Sequence, residues 1–146
     1  MTELARVSAL PPCDPKAMKA LKEFEEYLSH QPQVRIETEH HLHAGVYSRT
    51  VYIPKGVVAT GVEIKCPTQL IMSGHARMTV GNEVVELKGY CVLEGGGRRK
   101  QIVYALEDTY FTMLFATDAK SVAEAEEEFT DEADRLQTRK ELLCRE

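Results

Sequence analysis

The sequence lacks the features that define membrane and secreted proteins. No apolar run approaches the roughly 18 residues of a membrane span, and the N-terminus has no basic segment followed by an apolar one, as a signal peptide would. No Cys-x-x-Cys pair occurs, so neither a structural zinc site nor a disulfide framework is indicated. We expect a cytoplasmic protein with no membrane partner, whose cysteines are free or buried thiols: Cys13, Cys66, Cys91 and Cys144.

Basic charge is also scarce. The chain has 18 Lys and Arg against 23 Asp and Glu, a formal net charge of −5 at pH 7. Because a phosphate backbone demands a basic surface, nucleic acid is not expected to be the main partner. At 146 residues and 43% hydrophobic content, the chain is long enough for one domain with one core.

Short β-like segments dominate the middle of the chain. Between residues 45 and 117, runs rich in Val, Ile, Tyr, Thr and Phe recur at about 8 to 12 residues between Gly- or Pro-bearing turns, which is typical of an antiparallel sandwich or small barrel. We therefore predict a mainly β fold. Its expected divisions are an extended arm over 1–13, a helix over 14–30, a β-barrel over 31–118 and a helical segment over 119–146.

Alternation of apolar and polar residues predicts the individual strands. Gly81-Asn82 is a two-residue hairpin signal, and the strands on either side of it are expected to break at Gly74 and at Lys88-Gly89. The predicted strands are 34–39 (an added edge strand), 46–53, 57–64, 69–73, 75–80, 83–87, 90–93, 101–105 and 109–116.

Helix signals precede the β segments. Asp14-Pro15 supplies an N-cap acceptor and a proline at the first helical position, and an apolar stripe from Met18 to Leu28 should pack on the β body or on a second subunit. The arm before it contains Leu10-Pro11-Pro12, which cannot hold a regular helix. We expect this arm to be mobile or docked on a neighbouring subunit.

Helix signals also follow the β segments. Ser121 and Glu124 fit a capping box that begins a helix rich in Ala and Glu, and Thr130 or Asp131 could begin a further one. The acidic stretch over 124–132 is expected to be a solvated face.

Arg49 stands out within the strand over 46–53. Alternation places it on the face of Tyr47, Val51 and Ile53, among apolar neighbours. It could pair with a carboxylate inside the barrel, or project into a cavity and hold an anion. The internal salt bridge is favoured, since a buried Arg usually has a partner.

The loop Glu94-Gly-Gly-Gly-Arg-Arg-Lys100 is a second candidate site. Its glycines let the backbone approach another group closely, and the three cations Arg98, Arg99 and Lys100 suit a phosphate or carboxylate. It does not match a nucleotide-binding fingerprint, because neither a Lys-Ser ending nor a helix follows. A flexible, solvated turn is the simpler interpretation.

A third candidate is His40-His41-Leu42-His43. In an extended segment His41 and His43 share one face, where two imidazoles could ligate a metal. Surface histidines satisfied by hydrogen bonds are the simpler interpretation, because a metal needs a third and fourth ligand.

The strand series resembles the cupin superfamily, small jelly-roll β-barrels, over about residues 40–118. It is similar in particular to cupin-like proteins of tailed bacteriophages and prophages. The resemblance is carried by Gly45-Val46-Tyr47-Ser48-Arg49, Ile53-Pro54-Lys55-Gly56, Gly61, Gly74, Gly97-Arg98-Arg99 and Ala105-Leu106-Glu107-Asp108-Thr109. It implies a cupin-like barrel flanked by an N-terminal helix and one or two C-terminal helices.

The metal-binding residues of cupins are missing. Such cupins carry two histidines and a glutamate after the first glycine and another histidine in the second motif. Here the stretch between Gly61 and Gly74 has no histidine, and the second motif offers cations instead. A metal-dependent dioxygenase or isomerase is therefore disfavoured, and no cofactor is expected. A rearranged metal site remains an alternative, made of His41, His43, Glu63 and His75.

Three functions remain open at this point. The first is a non-catalytic module that binds a small anionic molecule at the barrel mouth through Arg49, Arg98, Arg99 and Lys100, with help from Glu63 and Gln69. The second is a structural or interaction protein that forms a homo-oligomer, as a virion component or with a phage or host protein. The third is a metalloenzyme using the displaced histidines. An interior filled by side chains would favour the second function over the first. The side chains expected there are those of Tyr47, Ile53, Ile64, Met72 and Phe111.

Overall fold

The computed structural model describes residues 9–136 and 139. Eight strands, two helices and one 3-10 turn follow one another in this range, and the mainly β fold with a helix before and after it is as predicted. The strands are β1 (Ala9–Leu10), β2 (Glu37–His43), β3 (Val46–Ile53), β4 (Val58–Thr60), β5 (Thr68–Val80), β6 (Glu83–Gly95), β7 (Ile102–Ala105) and β8 (Thr109–Ala116). The helices are α1 (Pro15–Ser29) and α2 (Val122–Phe129), and the 3-10 turn is Ala133–Arg135.

The strands form one branched sheet built around β5. Its main path runs β1, β6, β5, β8, β3, β2, and all of these pairs except β1 with β6 are antiparallel. The branch consists of β7, which pairs with the second half of β5, and β4, which pairs with β7. The long hairpin of β5 and β6 therefore belongs to both parts of the β body.

Gly74 lets β5 pass from one part to the other without a break. Residues Gln69 to Ser73 pair with β8, and Ala76 to Met78 pair with β7. Gly74 has a φ of +144°, and a Cβ there would lie 2.7 Å from the Thr109 Cα. The predicted breaks at Gly74 and Lys88-Gly89 are wrong, because these residues bend a continuous ladder rather than end it.

One hydrophobic core lies between the two parts of the β body. Tyr47, Ile53, Met72 and Phe111 are buried in it as predicted, and Ile64 is partly buried against it. The core also includes Met78, Leu87 and Val103 from the other part. Side chains from both parts of the β body therefore fill the space between them.

Helix α1 packs on its own chain. The Asp14 carboxylate accepts a hydrogen bond from the Ala17 amide at 2.7 Å, as the N-cap prediction requires. Ala17 and Leu21 are buried, whereas Phe24 and Tyr27 of the predicted stripe are exposed.

The described end of the arm also docks on the β body of the same chain. Leu10 is buried in the core, and β1 pairs in parallel with the end of β6. The Gly96 amide donates to the Leu10 carbonyl at 2.8 Å, and the Cys13 amide donates to that of Arg98 at 3.0 Å. Residues 1–8, the rest of the predicted arm, lie outside the described residues.

Two predicted strands are misplaced. The edge strand predicted over 34–39 is β2 at Glu37–His43, so the histidines lie within it. The strand predicted over 57–64 is only three residues long, because the following backbone bonds to other segments. The Gly61 amide donates to the Gln101 carbonyl, and the Lys65 amide donates to the Phe129 carbonyl.

The C-terminal helix begins as predicted. The Ser121 hydroxyl accepts from the Glu124 amide at 3.1 Å. Of the further helix predicted after Thr130, the described residues include the 3-10 turn and Arg139, which is helical, and 137–138 and 140–146 lie outside them. No helix among the described residues is long and apolar enough to cross a membrane.

Candidate functional site

Arg49 and Glu126 form a buried ion pair. Strand β3 points Arg49 inward, and α2 brings Glu126 over it, so that Arg49 Nη1 lies 3.2 Å from Glu126 Oε2. The side chains are only 11% and 5% exposed. This is the internal salt bridge that the sequence favours for Arg49. The prediction that residues 124–132 form a solvated face is wrong at Glu126, because its carboxylate is held inside by Arg49.

Aromatic and basic groups surround this pair. The Tyr47 ring stacks on Phe129 with centroids 6.1 Å apart, and the Arg49 guanidinium lies 5.9 Å from the Phe129 ring centre. Arg139 Nε donates to the second oxygen of Glu126 at 3.0 Å. We call His40, Tyr47, Arg49, Glu126 and Arg139 the Arg49 cluster.

Two members of the Arg49 cluster have shifted pKa values. His40 Nδ1 and the Tyr47 hydroxyl are hydrogen-bonded at 2.8 Å. Burial, and then the nearby Arg49 charge, lowers the pKa of His40, while burial raises the pKa of Tyr47. Both shifts favour the neutral forms, so the charges of the cluster are those of Glu126 and its two arginines.

The Arg49 cluster has its own anion. The Glu126 carboxylate occupies the position where a small acid would otherwise meet Arg49, and its other oxygen is taken by Arg139. A ligand would have to displace a buried carboxylate of the chain itself, which is costly. The arrangement is suited to fixing α2 on the β body.

Two cations of the glycine-rich loop also pair internally. Arg98, which has a φ of +56°, is exposed and lies 3.4 Å from Glu63 and 3.5 Å from Asp131. Lys100 is buried, and its Nζ donates to Glu25 at 2.9 Å and to the Gly61 carbonyl at 2.7 Å. The interpretation of this loop as a flexible, solvated turn is wrong, because it packs closely on other segments of the chain.

Arg99 has no carboxylate partner among the described residues. Its side chain is buried and donates to the Gly96 carbonyl at 2.6 Å and to the Thr68 hydroxyl, while its Nε has no hydrogen-bond partner. Burial lowers the pKa of the guanidinium. A buried cation with an unused donor is the one feature of this loop that suits an added anion.

The six residues predicted to bind a ligand do not converge. Arg49 belongs to its own cluster, and Glu63 pairs with Lys22 at 3.1 Å as well as with Arg98. Gln69 is exposed on the outward side of β5. The surface has depressions of about 530 and 320 Å³, one along α1 and one beside the β2–β3 turn, and neither is lined by any of the six.

The four residues of the alternative metal site do not converge either. His41 lies 2.9 Å from Glu39 on the outward side of β2, where His43 is also exposed, and His75 lies 2.9 Å from Glu86 at the bend of β5. Glu63 pairs with cations, as described above. No group of three His, Cys, Asp or Glu side chains within 9–136 and 139 could hold a metal ion.

A surface that the sequence interpretation missed lies on the outward side of the main sheet. There β2, β3, β8, β5 and β6 present fifteen side chains, none of them buried, which we call the outer sheet face. Tyr110, Tyr90 and Val92 on it are 51%, 70% and 52% exposed. Its three cross-strand rows are Glu37-Tyr52-Tyr110-Ser73-Tyr90, Glu39-Thr50-Thr112-Ile71-Val92 and His41-Ser48-Leu114-Gln69-Glu94.

A signal for this face is present in the sequence of β8. Phe111, Met113 and Phe115 are buried, yet Tyr110 and Leu114 on the opposite side are also apolar. A strand with water on one side should alternate apolar with polar residues. Apolar residues on both sides therefore indicate a strand whose second side also has a role.

No family model matches the chain, and no curated protein matches it. Its fold is similar to a Cupin_2 domain of an XRE family transcriptional regulator from Enterobacter cloacae, with 10% identity and a TM-score of 0.47 over 57% of this chain and 98% of that chain. KdgF from Halomonas sp. is 17% identical, with a TM-score of 0.47 over 60% of this chain and 87% of that one. A cupin superfamily protein from Desulfitobacterium hafniense is 14% identical, with a TM-score of 0.47 over 77% and 99%. These likenesses concern the fold alone, and none indicates a phage relationship.

Proposed function

We propose that this protein is a non-catalytic structural or interaction protein that forms a homo-oligomer through its β body. The observation that carries the proposal is the outer sheet face, where three tyrosines, Ile71, Val92 and Leu114 lie on strands with no described element packed over them. Exposed apolar side chains grouped on one face mark interaction sites. Tyrosine in particular is enriched in protein interfaces.

The interior and the cations support this function over ligand binding or catalysis. The five side chains expected to fill the barrel are buried in its core or packed against it. Arg49, Arg98 and Lys100 pair with Glu126, Glu63 and Glu25 of the same chain. These cations already have carboxylate partners within the chain, which supports a function at the outer sheet face.

The mass in solution tests this proposal. Light scattering on the eluting protein should give at least twice the chain mass of 16.4 kDa at micromolar concentration. A mass of one chain at every concentration would overturn the proposal. Elemental analysis after expression in supplemented medium serves as a second check, because stoichiometric bound transition metal would instead favour a metalloenzyme.

Binding of a small anion at Arg99 is the second candidate function. It is supported by the buried guanidinium, its unused Nε and the lack of a carboxylate partner in the described part of the chain. An anion that binds only the folded form raises the melting temperature with its concentration. Phosphate or sulfate should then stabilise the protein more than chloride at equal ionic strength. Arg98→Gln should retain the effect and Arg99→Lys should reduce it.

The resemblance to phage cupin-like proteins suggests a biological setting for the first candidate. A virion component or a protein acting in the host cytoplasm would use such a surface for assembly or for contact with a phage or host protein. Affinity capture under native conditions from infected and uninfected cells tests this part of the proposal. Partners present only after infection would support it.

A further inference from the structure

We infer that the outer sheet face binds the same face of a second copy, with the two-fold axis running along β8. The inference rests on the proposed function and names the surface that performs it. Strand β8 is the middle strand of the five, with β3 and β2 on one side and β5 and β6 on the other. The face is thus laid out evenly about β8, as an interface between identical surfaces requires.

With a two-fold axis along β8, each cross-strand row of one copy lies opposite the same row of the other copy. The strands on one side of β8 then face the strands from the other side of β8 in the second copy. Tyr110, Thr112 and Leu114 then meet their own copies at the centre. Strand β3 lies over β5 of the other copy, so that Tyr52 covers the small Ser73 and Thr50 covers Ile71. Large side chains face small ones off the axis, which suits packing of two sheets about 10 Å apart.

The charges at the margins favour this axis over the alternative. Strand β2 lies over β6, so that His41 meets Glu94 and the Glu37 carboxylate meets the Tyr90 hydroxyl. An axis across the strands would instead place Glu39 opposite its own copy. Like charges brought together in an interface cost several kcal/mol, whereas imidazole with carboxylate and carboxylate with hydroxyl are complementary pairs.

The area of the face is sufficient for a specific dimer. Five strands about 4.8 Å apart and three rows about 6.8 Å apart cover about 24 by 20 Å, or about 1,000 Å² of flat area for two copies. Specific interfaces bury upward of about 1,000 Å² of total accessible surface. The face therefore reaches the size of a small specific interface.

Two valines on β6 provide a matched test of the surface. Val92 lies on the outer sheet face and Val84 lies beyond the bend on the same strand, and they are 52% and 67% exposed. Across this axis Val92 meets Glu39 of the other copy. Val92→Glu therefore brings two carboxylates together and should weaken the dimer by about 100-fold or more, whereas Val84→Glu should leave its dissociation constant unchanged. Thr112→Arg, which brings two charges together on the axis, should also give monomers. The readout is sedimentation equilibrium, with circular dichroism to confirm that each variant is folded.

A charge exchange tests the position of the axis. His41→Glu alone and Glu94→His alone should each weaken the dimer by about tenfold, since each creates a pair of like groups, and the double variant should restore most of the loss. Restoration requires the two residues to meet across the interface. A dimer unaffected by Val92→Glu and Thr112→Arg would show that the chain self-associates through a different surface. A strictly monomeric wild-type protein would overturn the proposed function itself, and loss of the dimer without rescue would overturn the axis.

Discussion

Glu126 on α2 and Arg49 on β3 are 77 residues apart in sequence, and their side chains meet at 3.2 Å in a nearly water-free position. Arg139 takes the remaining oxygen of Glu126. The three charges connect the central sheet to the C-terminal segment, where Phe129 also stacks on Tyr47. The C-terminal helix is therefore attached by ion pairs as well as by apolar packing.

Removing either partner of this pair should destabilise the protein strongly. Arg49→Met removes one of the two arginines that bind Glu126, and Glu126→Gln leaves the Arg49 charge without its carboxylate. Each substitution should lower the free energy of unfolding by about 3 to 5 kcal/mol. Urea unfolding measures the loss. Arg77→Met provides the control, because Arg77 is exposed and its contact with Glu86 is 3.5 Å long. A loss below about 1 kcal/mol for both buried substitutions, as at exposed pairs, would contradict this interpretation of the cluster.

Stability should fall as the pH drops from neutral, because of His40. Burial and Arg49 lower its pKa below the ordinary 6.5, so the folded protein binds this proton more weakly than the unfolded chain does. The contribution of neutral His40 to the free energy of unfolding is fully present above about pH 6.5, and it is lost as the pH falls through the lowered pKa. Unfolding should be measured from pH 7.5 to 5.0, above the range where Asp131 and Glu86, whose pKa values are lowered, titrate.

The matched variant for this effect is His40→Gln. It keeps a polar side chain near the Tyr47 hydroxyl and removes the titration. The wild-type protein should lose more stability across this pH range than the variant does. If the free energy of unfolding changed equally with pH in the two proteins, protonation of His40 would not be coupled to the stability of the Arg49 cluster.

Two glycines paired across β5 and β6 should differ in tolerance to alanine. Gly74 and Gly89 are register partners, and both have positive φ values, of +144° and +85°. A Cβ at Gly74 would lie 2.7 Å from Thr109 Cα and 2.8 Å from the Asp108 carbonyl oxygen, whereas one at Gly89 meets nothing within 4 Å. Gly89→Ala should cost about 1 to 2 kcal/mol from backbone strain, and Gly74→Ala a further 1 to 3 kcal/mol from overlap. Equal losses would contradict the close approach of β5 to β8.

Lys100 should act as a structural residue. Lys100→Met leaves the Glu25 carboxylate without its closest cation and should lower the unfolding free energy by about 3 kcal/mol. Lys55→Met removes an exposed lysine that lies 3.6 Å from Glu107 and should change stability by less than about 0.5 kcal/mol. Chemical denaturation of both variants decides the matter. If Lys100→Met were as stable as Lys55→Met, the buried contact would be wrong and a free, ligand-holding lysine would regain support.

Elements with strong local signals are predictable from this sequence. Asp14 and Ser121 mark the helix starts, and Gly81-Asn82 marks the hairpin. Runs rich in β-branched and aromatic residues between turn signals place β3 and β8 with their correct ends. The prediction for β2 begins and ends too early. The outward side of this strand carries glutamates and histidines, while Val34 and Ile36, which favour a strand more strongly, lie just before it. Continuity of β5 through Gly74 depends on its partner strands, which a local pattern does not contain.

The candidate site is much less predictable, for a physical reason. The inward direction of Arg49 follows from alternation, but its partner Glu126 is supplied by a helix 77 residues later. Lys100 likewise meets Glu25 across 75 residues. Which cations remain available for a ligand depends on such long-range pairs, so a cluster of cations in sequence does not establish an anion site.

The dependence of backbone amide NMR shifts on protein concentration tests the central claim most directly. We expect peaks of Tyr110, Thr112 and Val92 to move as the wild-type protein is concentrated, while those of Val84 and of the buried Arg49 cluster stay in place. A spectrum that does not change with concentration, accompanied by shifts around Arg99 when phosphate is added, would contradict self-association and favour an anion-binding protein.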